Sequence, residues 1–89
     1  MTLLVDARGL LCPLPVLRLR KVLLAQGAGA RVRLLATDAM AAVDVPHFCD
    51  TGGHRLLDQC DKGDGVIEFT VERGPSAPLA ASGPTPEDI

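Results

Sequence analysis

The chain has 89 residues, of which 47% are hydrophobic, and its formal net charge is −2. This length predicts one domain with a single core, and the sequence argues against a membrane span because the longest uncharged apolar stretch near the start, residues 9–17, contains two prolines. The chain has only nine basic residues, and two phenylalanines are its only Phe, Trp or Tyr residues. This composition argues against direct nucleic acid binding, since bases stack on aromatic side chains.

The first part of the chain predicts a strand, a helix and a second strand. Residues 3–6 form the first strand, and the helix begins at the motif Cys-Pro-Leu-Pro and runs to about Gln26, where Gly27 and Gly29 end it. Residues 31–37 form the second strand, which is apolar enough to be central. The helix carries one apolar face that we expect to pack on a sheet, formed by Val16, Leu19, Val22 and Leu23.

The second part predicts another helix and a hairpin. Asp44 is a candidate N-cap with Pro46 in the first turn, and the helix ends at Gly52 and Gly53. Strands at residues 54–60 and 66–72 flank a tight turn, and the second of them alternates clearly between apolar and polar residues. The inner face of the helix is formed by Val45, Phe48 and Cys49.

The order β-α-β-α-β-β predicts an α+β fold. We expect a two-layer sandwich with both helices on one face of a four-stranded mixed sheet. This domain covers residues 1–73, and residues 74–89, which are rich in proline, alanine and serine, are predicted to be a disordered tail.

Cys12 is the candidate reactive residue. It stands at the predicted N-cap of the first helix, where unpaired N–H groups and the positive end of the helix dipole favour a thiolate. Because Pro13 and Pro15 have no N–H, Leu14 is the main local donor, and Arg8 is a nearby positive charge. The pattern predicts a moderately activated thiol held in a fixed direction, and the alternative is that Cys12 is a small packed hydrophobe.

The remaining cysteines and histidines give weaker patterns. Three cysteines without a secretory leader predict reduced thiols in a cytoplasmic protein. Cys49 is expected to pack in the core, whereas Cys60, near a strand end, stays undecided. No Cys-x-x-Cys or His-x-x-x-His pair is present, so we predict neither a metal site nor a redox pair. The sequence brings neither His47 nor His54 next to Cys12, so a Cys-His dyad has no support.

Basic charge is concentrated in residues 1–37, where six basic residues and one acidic residue give a net charge of +5. Residues 38–73 carry eight acidic and three basic residues, a net charge of −5. The Cys12 motif lies in the basic part, which suits docking on an acidic protein surface, although a solvated helix face explains the same pattern. The candidate docking residues are Arg8, Arg18, Arg20 and Lys21.

Residues 6–17, Asp-Ala-Arg-Gly-Leu-Leu-Cys-Pro-Leu-Pro-Val-Leu, with Lys21 further along the helix, resemble the signature of the TusA/SirA family of small sulfur carriers. The similarity covers about residues 3–73, and Ala39 departs from it because a proline often stands there. It continues downstream in four short blocks, Thr37-Asp38, residues 44–49, Gly53-His54 and Leu56-Leu57.

The resemblance implies the same sandwich and a sulfur-relay role for Cys12. A cysteine desulfurase or a rhodanese-like enzyme would load sulfane sulfur onto Cys12 as a persulfide, and an acceptor relay protein would remove it, without a cofactor. The motif residues that support Cys12 would be Gly9, Pro13, Leu14 and Pro15.

Several functional alternatives stay open in the sequence. We expect a monomeric carrier resembling a sulfurtransferase, without need of independent turnover. Its relatives are associated with tRNA thiolation, molybdenum cofactor synthesis, sulfur oxidation or selenium metabolism, and the sequence does not select among them. The opposing hypotheses are a non-catalytic regulatory or protein-binding module in which Cys12 packs, and a thiol-disulfide redox protein, which would need a second cysteine close by.

Overall fold

The structure is a computed structural model that describes residues 2–75, so the predicted tail from residue 76 onward lies outside the described residues. Neither helix in this range is long and apolar enough to cross a membrane. The elements are β1 (Thr2–Ala7), α1 (Leu14–Leu24), β2 (Arg31–Ala36), α2 (Ala41–Gly52), β3 (Arg55–Gly63) and β4 (Val66–Glu72). This is the predicted β-α-β-α-β-β order.

The four strands form one mixed sheet in the order β1-β2-β4-β3. β1 and β2 pair in parallel, with Val5 opposite Leu34, whereas β4 is antiparallel to both of its neighbours. β2 and β4 are therefore the inner strands, which confirms that the second strand is central. The edges of the sheet are β1 and β3.

Both helices pack on the same face of the sheet, which confirms the predicted two-layer α+β fold. Leu19 and Leu23 of α1 are fully buried, and Val16 and Val22 pack partly against the core. Each fully buried side chain of this size stabilises the fold by about 1.5–3 kcal/mol. The buried core consists of Val5, Ala7, Leu19, Leu23, Val32, Leu34, Ala36, Ala41, Val45, Cys49, Phe69 and Val71.

The first helix starts one residue later than its predicted cap. Pro13, not Cys12, is the N-cap of α1, and no side chain caps this end. Cys12 therefore belongs to the preceding turn. The expectation that the cysteine itself caps the helix was wrong because the first turn closes through backbone atoms, the N–H of Leu17 donating to the carbonyl of Pro13 at 3.1 Å.

The second helix starts earlier than predicted. Its N-cap is Met40, so Asp44 stands inside the first turn and Pro46 lies within the helix. The prediction of Asp44 as the cap was wrong because the turn after Asp38 already begins the helix, the N–H of Ala41 donating to the carbonyl of Asp38 at 2.9 Å. The proline so placed has no N–H to donate, so one carbonyl of the first turn lacks its usual helical partner. Asp44 is left free to contact another part of the molecule.

The face of the sheet opposite the helices is charged. Glu68 is paired with Arg33 and, at 3.4 Å, with Lys62. Although Glu68 points away from the core, its exposed fraction is only 8%, because the long stems of these two basic side chains can cover it. The Arg33 guanidinium holds the pKa of Glu68 below its usual value. Two more cross-strand pairs on this face join Glu72 to Arg31 and to Arg55.

The end of the described chain packs against the junction between α2 and β3. Gly74 is buried, and its N–H donates to Nδ1 of His54 at 3.1 Å. A Cβ atom on Gly74 would lie 1.7 Å from the carbonyl oxygen of Gly53, so a larger residue does not fit without movement. The packed unit therefore extends through Gly74, one residue beyond the boundary expected from composition.

Candidate functional site

Cys12 lies in the loop between β1 and α1, and its side chain is exposed. The exposure contradicts the alternative in which this cysteine packs in the core. Two further segments meet the loop here: the connection between β2 and α2, which carries Asp38, and the first turn of α2, which carries Asp44.

Gly9 anchors the start of this loop to the end of β2. Its N–H donates to Oγ1 of Thr37 at 2.9 Å, and its φ of +85° lies in the left-handed region that a residue with a side chain rarely adopts. The next residue closes a turn, the N–H of Leu10 donating to the carbonyl of Ala7 at 3.2 Å. These contacts account for Gly9 as a structural member of the motif.

The two groups expected to stabilise the thiolate, a backbone N–H and a guanidinium, form hydrogen bonds with other partners. The N–H of Leu14 donates to the carbonyl of Leu11 at 2.8 Å. The guanidinium of Arg8 forms two hydrogen bonds with the carboxylate of Asp6, at 2.8 and 2.9 Å, and this pairing lowers the pKa of Asp6 to about 2. The expected stabilisation of a thiolate by these two groups is therefore absent from the described geometry.

The thiol instead faces a carboxylate. Sγ of Cys12 donates to Oδ2 of Asp44 at 2.7 Å, and the backbone N–H of Cys12 donates to Oδ2 of Asp38. The hydrogen bond to Asp44, followed by desolvation and the charges of both aspartates, raises the pKa of the Cys12 thiol. The prediction of a moderately activated thiol was wrong, because the sequence does not reveal which groups of the second helix face the loop.

The other two cysteines are separate from this site. Cys49 is a buried core residue of α2, as predicted, and burial raises its pKa to about 11. Cys60 is exposed on the edge strand β3, on the charged face of the sheet, where it lies opposite Glu68 in the register of β3 and β4. Within residues 2–75, no three His, Cys, Asp or Glu side chains are grouped closely enough to hold a metal ion.

Histidine is not part of the Cys12 site either. His54 lies just past the C-terminal end of α2, where its ring stacks on Phe48 with 5.2 Å between the centroids. Since α2 has 12 residues, it separates His54 from the Cys12 end by about 18 Å. His47 is an exposed residue on the same helix. The described residues therefore form no Cys-His dyad.

An apolar groove of about 340 Å³ runs along α1 beside the cysteine loop. Of the four predicted docking residues, Arg18 and Lys21 line it, whereas Arg20 does not and Arg8 is paired with Asp6. The other lining residues are Leu10, Leu14, Leu17 and Val22. The groove thus has an apolar floor bordered by two basic side chains.

Exposed apolar side chains stand on both segments that meet at Cys12. Leu11 is 70% exposed and Leu14 is 48% exposed on the α1 side, and Met40 and Val43 are exposed at the start of α2. We call these four residues the apolar rim of the site. No local pattern in the sequence indicates this rim, because its members come from two segments that meet only in the fold.

Asp38 and Asp44 are the polar site residues that sequence reasoning missed. Asp44 matched an N-cap pattern, and Asp38 stood out only as part of the Thr37-Asp38 block. The signal that could have found them is that both aspartates occur in blocks shared with the family resemblance.

Comparison with known proteins shows which family the sequence resembles. The profile of the family described as "Sulfurtransferase TusA" matches residues 4–73. A Bacillus subtilis protein named "Putative sulfur carrier protein YrkI" is 38% identical over 69 residues, which cover 78% of this chain and 91% of the relative. The sulfur carrier protein TusA of Allochromatium vinosum is 35% identical over 68 residues, 76% of this chain and 88% of the relative.

A solved structure is similar as well. The crystal structure of a SirA-like protein from Desulfitobacterium hafniense superposes with a TM-score of 0.73 and is 32% identical. The superposition covers 83% of this chain and 99% of that protein. The likeness therefore extends over the whole of the sandwich described above.

Proposed function

The chain belongs to the TusA family, and on that premise we propose that it is a sulfur carrier that holds sulfane sulfur as a persulfide on Cys12. The observation that carries this proposal is the placement of Cys12: its thiol is exposed in the loop just before α1, and the other two cysteines of the chain lie elsewhere. A thiol so placed suits transfer of sulfur between proteins, because two partners can reach it in turn.

The chemistry needs one cysteine. The Cys12 thiolate attacks the outer sulfur of a donor persulfide, and an acceptor thiolate later attacks the same sulfur on Cys12. Both steps are exchange reactions at sulfur, so their rates depend on the thiolate fraction and on access. Neither a cofactor nor a second cysteine takes part, and the carrier is not required to turn over alone.

We assign partner docking to the surface around Cys12. Arg18 and Lys21 border the apolar groove on α1, and the apolar rim adds exposed area beside the thiol. A basic border of this kind favours a donor, such as a cysteine desulfurase or a rhodanese-like enzyme, and an acceptor with acidic residues around an apolar contact. We place this relay in the cytoplasm, where reduced thiols persist, with the carrier acting as a monomer. The same chemistry serves tRNA thiolation, cofactor synthesis and sulfur oxidation.

Intact mass after incubation with a sulfane sulfur donor tests the carrier function. We expect the wild type to gain one sulfur atom that a reductant removes, and Cys12→Ser to gain none. Cys60→Ser is the matched control, because it removes the other exposed thiol, and it should load like the wild type. A sulfur adduct of equal yield in Cys12→Ser contradicts the proposal, and a mass loss of two hydrogen atoms would point to disulfide chemistry instead.

Charge reversal tests the docking surface. The double variant Arg18→Glu, Lys21→Glu should slow sulfur transfer from a protein donor and leave loading by a small sulfane donor unchanged. Arg20→Glu changes a basic residue of the same helix that does not line the groove, and should transfer nearly as fast as the wild type. Equal slowing by both changes would contradict a docking role for the groove.

A further inference from the structure

The side chain of Asp44 points from the first turn of α2 at the thiol of Cys12. Sγ donates a close hydrogen bond to Oδ2, with 2.7 Å between the two atoms. Asp38 accepts the N–H of the same cysteine and thereby holds the loop against the start of α2. Among residues 2–75, the charged groups that face the thiol are these two carboxylates, and Arg8 in the cysteine loop is paired with Asp6.

We propose that Asp44 is a positioning residue that holds the thiol of the empty carrier and turns the sulfur of the loaded carrier outward. This inference rests on the proposed persulfide function and adds to it a residue that responds to the loaded state. It requires no rearrangement of the fold, because what changes on loading is the charge and the donor capacity of the Cys12 side chain.

Loading replaces a hydrogen-bond donor with an anion. A bond forms between Sγ of Cys12 and the outer sulfur of the donor persulfide, and the bond between the two donor sulfurs breaks with its electron pair left on the donor. The donor thiolate so released takes up the proton that Cys12 gave up. The sum is thiol plus donor persulfide anion giving Cys12 persulfide anion plus donor thiol, so the sulfane sulfur changes partner without net oxidation or reduction.

The loaded side chain cannot repeat the contact with Asp44. A persulfide is a stronger acid than the corresponding thiol, so its terminal sulfur is anionic near neutral pH and has no hydrogen to donate. At the distance seen for the thiol, two negative groups repel each other, and Asp38 adds to this repulsion. The terminal sulfur is therefore directed away from α2 and toward solvent, where an acceptor cysteine can attack it.

The empty carrier is kept protonated by the same residue. Asp44 raises the pKa of the thiol, so a smaller fraction of empty Cys12 is a nucleophile near neutral pH. The carboxylate of Asp44 thus enlarges the difference in reactivity between the thiol of the empty carrier and the persulfide of the loaded carrier. The contrast favours transfer from the loaded form and protects the empty thiol from unproductive reactions.

Alkylation by iodoacetamide, an uncharged reagent, tests this inference on empty and loaded protein across a pH series. All variants carry Cys60→Ser, so that Cys12 is the exposed thiol measured. Asp44→Asn should raise the rate of the empty carrier several-fold near neutral pH, move the midpoint of its pH profile downward, and lower the loaded-to-empty rate ratio several-fold. Asp44→Glu keeps the carboxylate and should retain the wild-type pattern. Asp50→Asn removes the same charge from an exposed position later in α2 and should also behave as wild type.

An unchanged pH profile and rate ratio in Asp44→Asn overturns the inference, and formation of the sulfur adduct in the same samples shows that sulfur carriage itself survives. Absence of the adduct in the wild type overturns the proposed function instead. Should Asp44→Asn fail to fold, the wild-type profile decides, since a midpoint at or below that of an ordinary thiol, about pH 8.5, overturns the role of Asp44.

Discussion

Asp38 accepts the backbone N–H of Cys12, a residue 26 positions earlier in the chain, on one oxygen of its carboxylate. The other oxygen accepts the N–H of Met40, the N-cap of α2, at 3.2 Å. One side chain thus joins the cysteine loop to the start of the second helix. The position of the thiol relative to Asp44 depends on this connection.

Removal of the Asp38 carboxylate should loosen the site and lower stability. Asp38→Ala leaves both N–H groups without their acceptor, and we expect the free energy of unfolding to fall by about 1–2 kcal/mol. Asp38→Asn retains one acceptor oxygen and should lose about half as much. Urea denaturation measures both values, with Asp50→Ala as the exposed control. Equal stability of the Ala and Asn variants would show that the acceptor oxygen retained in Asp38→Asn contributes nothing.

His54 should make the protein less stable in mild acid. Its Nδ1 accepts the N–H of Gly74, and burial together with the charge of Arg73 lowers its pKa. The unfolded chain takes up a proton at about pH 6.5 while the folded chain does not, so stability is present above that pH and is lost below it. We expect the melting temperature to fall between about pH 7.5 and about pH 5.

Substitution isolates this effect. His54→Gln lacks the titrating group and should show a smaller fall over the same range, whereas His47→Gln, which changes an exposed histidine of α2, should keep the fall of the wild type. An equal fall in His54→Gln and in wild type would assign the acid sensitivity to other groups.

A side chain at Gly74 should disturb the end of the domain. Because a Cβ there would meet the carbonyl of Gly53, Gly74→Ala forces backbone to move and should lower the free energy of unfolding by about 1–3 kcal/mol. Gly27→Ala is the matched control, since a Cβ at that position would meet no atom within 4 Å beyond its chain neighbours and no strained φ is present. Similar melting temperatures for the two variants would mean that residue 74 is not held in place.

The elements themselves follow from short-range patterns in the sequence. The alternation of Ile67, Phe69 and Val71 places β4 at residues 66–72, as predicted, and the apolar face of the first helix identifies its buried residues Leu19 and Leu23. These patterns suffice because burial on one face of a strand or helix imposes a fixed spacing on the chain. The strand order β1-β2-β4-β3 does not follow from these patterns, because a central β2 allows either β3 or β4 as its second neighbour.

The surroundings of Cys12 do not follow from such patterns. Asp44 satisfies the spacing rule for a cap, and only the packing of α2 against the cysteine loop shows that its carboxylate serves the thiol instead. A contact between residues 32 positions apart has no signature in local spacing. The sequence predicts the fold and the candidate cysteine, while the pKa of the Cys12 thiol is decided by groups that the fold brings together.

The two prolines next to Cys12 allow a direct choice between the local and the tertiary explanation of that pKa. If the first helical turn controlled the thiol, Pro15→Ala would restore an N–H donor there and lower the thiol pKa. In the structure the adjacent donor, the N–H of Leu14, goes to the carbonyl of Leu11, and the thiol faces Asp44. We therefore expect Pro15→Ala to leave the pH profile of Cys12 alkylation unchanged.

The same variant should change stability, because the side chain of Pro15 is fully buried. Its truncation leaves a small cavity and frees the backbone of the unfolded chain, and we expect a loss of about 1–2 kcal/mol. Alkylation over a pH series in the Cys60→Ser background, together with a melting curve, measures both properties on one sample. A lowered alkylation midpoint with an unchanged melting temperature would return control of the thiol to the first turn. The expected result is an unchanged alkylation midpoint with a lowered melting temperature. It would mean that the prolines fix the position of Cys12 and that Asp44 fixes the acidity of its thiol.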